Sequence, residues 1–103
     1  MSQQIQIAKT IADQIGIRRM WAMGAKNRIA LNESGGVVGG LQFSASLFGK
    51  RQCKVIVQLT GMDTYNLLIL KPRAYVVIAE MKNIYCEELG DMIEAIVERH
   101  FAA

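Results

Sequence analysis

Residues 53–70, CKVIVQLTGMDTYNLLIL, set the terms for the rest of the chain. They read as two apolar strands joined by a short polar turn. Side chains alternate along a strand, so Cys53, Val55, Val57 and Leu59 share one face of the first strand. Tyr65, Leu67 and Ile69 share one face of the second. Thr60-Gly61-Met62-Asp63 supplies a four-residue loop, of the length usually built on a type I turn. The opposite faces are not polar, because Ile56, Leu68 and Leu70 lie there. A sheet apolar on both sides has to be covered on both sides.

The flanking sequence offers cover. In residues 3–15, Ile5, Ala8, Ile11, Ala12 and Ile15 recur at threes and fours, the stripe of a helix with one apolar side. Ser2 is placed as its N-cap and Gly16 as its stop. A helix this short does not hold alone in water, so it must dock on the sheet. Residues 17–24, IRRMWAMG, read as a strand or a bend, with Trp21 and Met23 facing one way. Residues 28–32 form a short strand, and Glu33-Ser34-Gly35-Gly36 a turn. Residues 37–46 alternate with period two, placing Val37, Gly39, Leu41, Phe43 and Ala45 together. Gly39 and Gly40 weaken a strand interior and signal a bulge or a close backbone approach. Residues 47–52 form a basic connection.

After the central hairpin, Pro72 has no N–H to donate and ends the ladder. Residues 75–79, YVVIA, predict another buried strand. A final helix is expected from Asn83 or Tyr85 to about His100, with Leu89, Met92, Ile93, Ile96 and Val97 inward. Glu87 and Glu88 in its first turn, and Arg99 and His100 in its last, suit the helix dipole.

At 103 residues, 51% of them hydrophobic and 20% charged, the chain is one domain, 1–103, with enough apolar content for a core. Six methionines suit adaptable cores and interfaces. So much apolar side chain on a short chain favours a homo-oligomer. The net charge of +3 conceals an asymmetry. Residues 1–73 hold ten Lys and Arg against Asp13, Glu33 and Asp63, whereas residues 74–103 hold two against six acids. Such a division means either an anionic partner or two opposed surfaces that pack together.

Chemistry-bearing groups are sparse. The glycines of SGGVVGG lack a following Gly-Lys-Ser/Thr and a helix to hold an anion, so they read as a hairpin turn rather than a phosphate loop. Cys53 and Cys86, 33 positions apart, fit no metal spacing, and with a single His no zinc site or other metal is expected. Both thiols are expected reduced and buried; a disulfide between them has no secretion signal to support it. The polar start MSQQIQIAKT is not a signal peptide, and no run reaches the roughly 18 apolar residues of a membrane span. Asp63 reads as turn chemistry, and the acids of the last helix as a solvated face. No catalytic residue and no cofactor site can be assembled. The basic residues Lys26, Arg28, Lys50, Arg51, Lys54, Lys71 and Arg73 are the candidate nucleic-acid-binding set. They gather at one end of a meandering sheet if the strands follow chain order, with Trp21 or Tyr65 as a stacking surface. Ile56, Leu68 and Leu70 are the candidate protein interface.

The segments AMGAKN (22–27), LTGMDTYNL (59–67) and IYCEEL (84–89), in that order, resemble a family of small uncharacterised proteins encoded by tailed bacteriophages and prophages. The resemblance runs from about residue 12 onward. The chain departs from it at Met23-Gly24, where the family pattern has a further residue between them, and in the longer glycine-rich turn at 34–40. The resemblance implies a phage origin and a host-cytoplasmic setting; it brings no activity, cofactor or catalytic residue.

These readings converge on an α+β fold, one antiparallel sheet of about five strands with an N-terminal and a C-terminal helix packed on it. If both helices take one face, a second subunit hides the remainder, sheet to sheet or edge to edge. The expected function is that of a non-catalytic phage or prophage accessory protein, homodimeric, acting on a phage or host protein. The alternative is a nucleic-acid-binding accessory factor.

Overall fold

The computed structural model describes residues 3–22, 24–47, 51–71 and 76–101. Its elements are α1 (Gln3–Ile15), α2 (Ile17–Ala22), β1 (Lys26–Leu31), β2 (Val37–Leu47), β3 (Arg51–Thr60), β4 (Tyr65–Leu70), β5 (Val77–Ile84) and α3 (Leu89–Phe101). The strands form one open antiparallel sheet in chain order, β1 to β5. This is the expected α+β arrangement, a meander with a helix at either end.

All three helices lie on one side of the sheet. Ala8, Ile11 and Ile15 of α1, Met20 of α2, and Leu89, Ile93 and Ile96 of α3 enclose one core with inward residues of the sheet. Those inward residues follow the register across strands. Ala30, Leu41, Val57, Leu67 and Met81 form one row, and Phe43, Val55, Ile69 and Ala79 the next. Cys53, Val55, Val57, Tyr65, Leu67 and Ile69 are all buried, as the alternation of the central hairpin requires.

The turns carry the special backbone. Ser34 and Val37 exchange both hydrogen bonds, at 2.9 and 2.8 Å, around Gly35 and Gly36 with φ of 41° and 87°. Positive φ at both central residues is the two-residue turn that matches strand twist. Gly40 permits a close approach of β2 to β3: a Cβ there would lie 2.1 Å from the Val57 carbonyl oxygen. The β3–β4 loop sits one residue later than expected, at 61–64, with the Thr60 N–H donating to Thr64 O at 2.9 Å. Its side-chain chemistry comes from Thr60, not Asp63. The Thr60 Oγ1 accepts from the Met62 and Thr64 N–H groups at 3.3 and 3.4 Å, while Asp63 supplies a left-handed φ of 61°.

Four expectations of local structure need correction. Residues 47–52, expected as a connection, are strand at both ends, with Leu47 of β2 paired to Arg51 of β3. Residues 17–22 are helical, neither strand nor bend. Gly16, φ 96°, ends α1 and redirects the chain, and Gly24, φ 60°, ends α2. Ala25 N–H donates to Met20 O and Gly24 N–H to Trp21 O, so both terminal carbonyls are satisfied. Ser2, Met23 and the chain at 72–75, where the fifth strand was expected to begin, lie outside the described residues. β5 starts at Val77, runs to Ile84 and is largely exposed, because it is the last strand of the sheet and has one unpaired side. α3 therefore begins only at Leu89: Glu88 precedes it, its carbonyl accepting from Met92 N–H at 2.9 Å.

Candidate interaction surface

The side of the sheet away from the helices is mixed in character. One row crosses all five strands as Ile29, Gln42, Ile56, Leu68 and Glu80, and a second as Lys26, Ser44, Lys54, Leu70 and Val77. Ile56 and Leu68 are half-buried, and Ile29 and Val77 are exposed. Leu70, expected to be an outward contact residue beside them, is only 4% exposed in the single chain and offers almost no surface. The apolar part of this face is thus the line from Ile29 through Ile56 and Leu68, with Val77 at the β5 edge. Polar Gln42, Ser44, Gln58 and Asn66 lie between them, each half-buried.

The basic residues do not form one cluster. Lys26 and Lys54 flank Ser44 on the open face, two strand spacings or about 10 Å apart. The register slips between Lys26 and Ile29, where Asn27 has a φ of 57°. This bulge sends Arg28 to the helix side, into a groove of about 180 Å³ that it lines with Ile5, Ala8, Lys9 and Ala12 of α1. Lys71 is exposed just past β4. Lys50, Arg73 and the side chain of Arg51 lie outside the described residues. Of the two aromatic residues considered for base stacking, Trp21 stands 88% exposed on α2, but Tyr65 is in the core. The Tyr65 hydroxyl donates to Gln14 Oε1 at 2.7 Å, which ties α1 to the start of β4. Burial, with a smaller contribution from nearby Cys86, pushes the Tyr65 hydroxyl above its ordinary range.

The two thiols differ, and both are free. Cys53 is buried in the sheet, and that burial pushes its pKa from 9.0 up to about 11, which leaves little thiolate near neutrality. Cys86, expected to be buried, is exposed in the turn before α3, because the late start of that helix leaves residues 85–88 outside it.

Arg19 is a residue that reading by spacing passed over. Its guanidinium reaches from α2 to α3, pairing with Asp91 and donating from Nε to Glu94 Oε2 at 2.8 Å. The bond to Glu94 raises its pKa further, helped by the charge of Asp91. Gly90 makes room for this clamp: a Cβ there would lie 2.9 Å from Arg19 Nη1 and 3.1 Å from Ile15 O. Two acids of the last helix thus bind a cation of the basic half, so part of the charge asymmetry is internal packing. Their spacing of three on one helix, together with the Arg18-Arg19 pair just after a glycine stop, was the available signal.

Among the described residues no three His, Cys, Asp or Glu side chains come together as a metal site, and no helix is long and apolar enough to cross a membrane. Compared with protein-family models, curated proteins and solved structures, the chain matches none.

Proposed function

We propose that this chain is a non-catalytic accessory protein of a tailed bacteriophage or prophage, acting in the host cytoplasm through protein–protein contact and self-association. The observation that carries the interaction reading is the unshared side of the sheet, where Ile29, Ile56, Leu68 and Val77 lie on a surface that none of the three helices covers. Apolar side chains on an open sheet lower the free energy of any partner that removes them from water. The phage assignment rests on the ordered segments AMGAKN, LTGMDTYNL and IYCEEL. Size-exclusion chromatography with light scattering tests self-association. A mass near twice 11.4 kDa supports it, and a single-chain mass at every concentration removes it.

A second reading, a nucleic-acid-binding accessory factor, draws on Lys26 and Lys54 sharing the open face across Ser44. Two cations about 10 Å apart on one face suit the phosphates of one strand laid across the sheet. Salt-dependent binding to labelled single- and double-stranded DNA tests it. Binding that survives Lys26→Glu with Lys54→Glu unchanged rejects the open face as the nucleic-acid surface.

A further inference from the structure

The two edges of the sheet differ in what they present to a second copy. β1 carries Lys26 and Arg28 and no acid, and its register against β2 shifts at Asn27. The register of β5 against β4 also shifts, near Val77 and again at Asn83 with a φ of 60°, and is regular through Ala79, Glu80 and Met81 between them. β5 carries one charge of each sign, Glu80 and Lys82, two residues apart and both exposed. Among the described residues neither pairs with the other or takes part in the Arg19 ion pairs. Exposed Val77 lies on the same strand.

We infer that β5 pairs antiparallel with β5 of a second copy about a two-fold axis at Met81, joining two five-stranded sheets into one of ten. The register follows from charge. Centred on Met81, antiparallel pairing sets Glu80 of each copy directly opposite Lys82 of the other, so two opposite-charge cross-strand pairs form on the open face. Moving the centre to residue 80 sets Glu80 against Glu80, and moving it to residue 82 sets Lys82 against Lys82, both unfavourable. The axis stands normal to the sheet, which is the symmetry of a self-complementary contact. It keeps helices with helices and makes the two open faces continuous, doubling the apolar surface offered to a third protein. Among the described residues no strand pairs with the outer side of β5, and its N–H and C=O groups there give the backbone its reason to pair. This inference rests on the self-association proposed above and names where it occurs.

Charge reversal and exchange test it. Glu80→Lys alone, or Lys82→Glu alone, creates two like-charge pairs per dimer and raises the dissociation constant roughly tenfold or more. The double variant Glu80→Lys with Lys82→Glu restores it to within a few-fold of the original chain. Independently, Met81→Cys in a Cys86→Ser background forms a disulfide-linked dimer under mild oxidation, since the axis brings position 81 of the two copies together. A dimer that ignores both single reversals and yields no cross-link overturns β5 pairing and leaves self-association standing. A chain that is monomeric throughout overturns self-association itself. Species growing beyond the dimer with concentration mean head-to-tail pairing of β1 with β5, and they too overturn the two-fold contact.

Discussion

Leu67 and Leu68 are neighbours on one strand with different surroundings. Leu67 points at the helices and is fully buried; Leu68 points to the open face and is half-buried. The same division holds along β3, where Val55 and Val57 are sealed in the core and Ile56 between them is not. One face is completed by α1, α2 and α3, which the chain supplies itself. The other is moderated instead, its Ile and Leu interspersed with Gln42, Ser44, Gln58 and Asn66. A strand apolar on both sides therefore need not have two equivalent covers. Burial is concentrated on one side, and the other is not covered by the helices.

The contrast is broken most readily at Leu67. Leu67→Ala empties a closed core and is expected to cost about 2–5 kcal/mol. Leu68→Ala is expected to cost about 1 kcal/mol or less at dilutions where the chain is monomeric, since its side chain already meets water. Denaturant midpoints measure both, and equal losses would mean that the faces are equally sealed. Next is Gly40→Ala. A methyl group 2.1 Å from the Val57 carbonyl oxygen forces β2 and β3 apart, at a cost of about 3 kcal/mol. A neutral result would show that the close approach is absent. Tyr65→Phe removes the donor to Gln14 and should cost about 1 kcal/mol, read from the same midpoints.

The thiols give a smaller effect with a definite sign. Maleimide labels Cys86 rapidly in the folded chain and Cys53 only on unfolding, as their exposures require. The Cys53 pKa is raised from 9.0 to about 11, so the fold favours the protonated thiol. Its contribution to stability is whole below pH 9.0 and is lost as pH rises through about 11. Tyr65, also raised, acts in the same direction. Midpoints measured above pH 9 should therefore fall less steeply in Cys53→Ala than in the original chain.

Period-two alternation was enough to place Phe43, Val57 and Leu67 in one core, and the threes and fours of Ile11 and Ile15 were enough to dock α1 there. Glycine spacing located the Gly35–Gly36 turn. Alternation also continues through Glu80, Met81 and Lys82, but the nearby glutamates suggest an early helix, which cuts β5 short; Ile84 is buried opposite Tyr65 because the register shifts at Asn83, φ 60°. The short α2 was hidden because its ends depend on Gly16 and Gly24 adopting left-handed backbone, which also suits a bend. Arg28 left the basic group because a bulge at Asn27 inverts the face, and a bulge on a non-glycine residue has a weak signature. The Arg19 clamp joins residues more than seventy positions apart, and only the packing of α2 against α3 brings them together.

Amide hydrogen exchange of the original chain, followed at increasing protein concentration, reads the β5 edge itself. N–H groups on the outer edge of β5, between Ala79 and Lys82, are expected to become slower to exchange as concentration rises. The core amides of β3 should keep their rates. Fast exchange along β5 that is the same at every concentration would contradict β5 pairing.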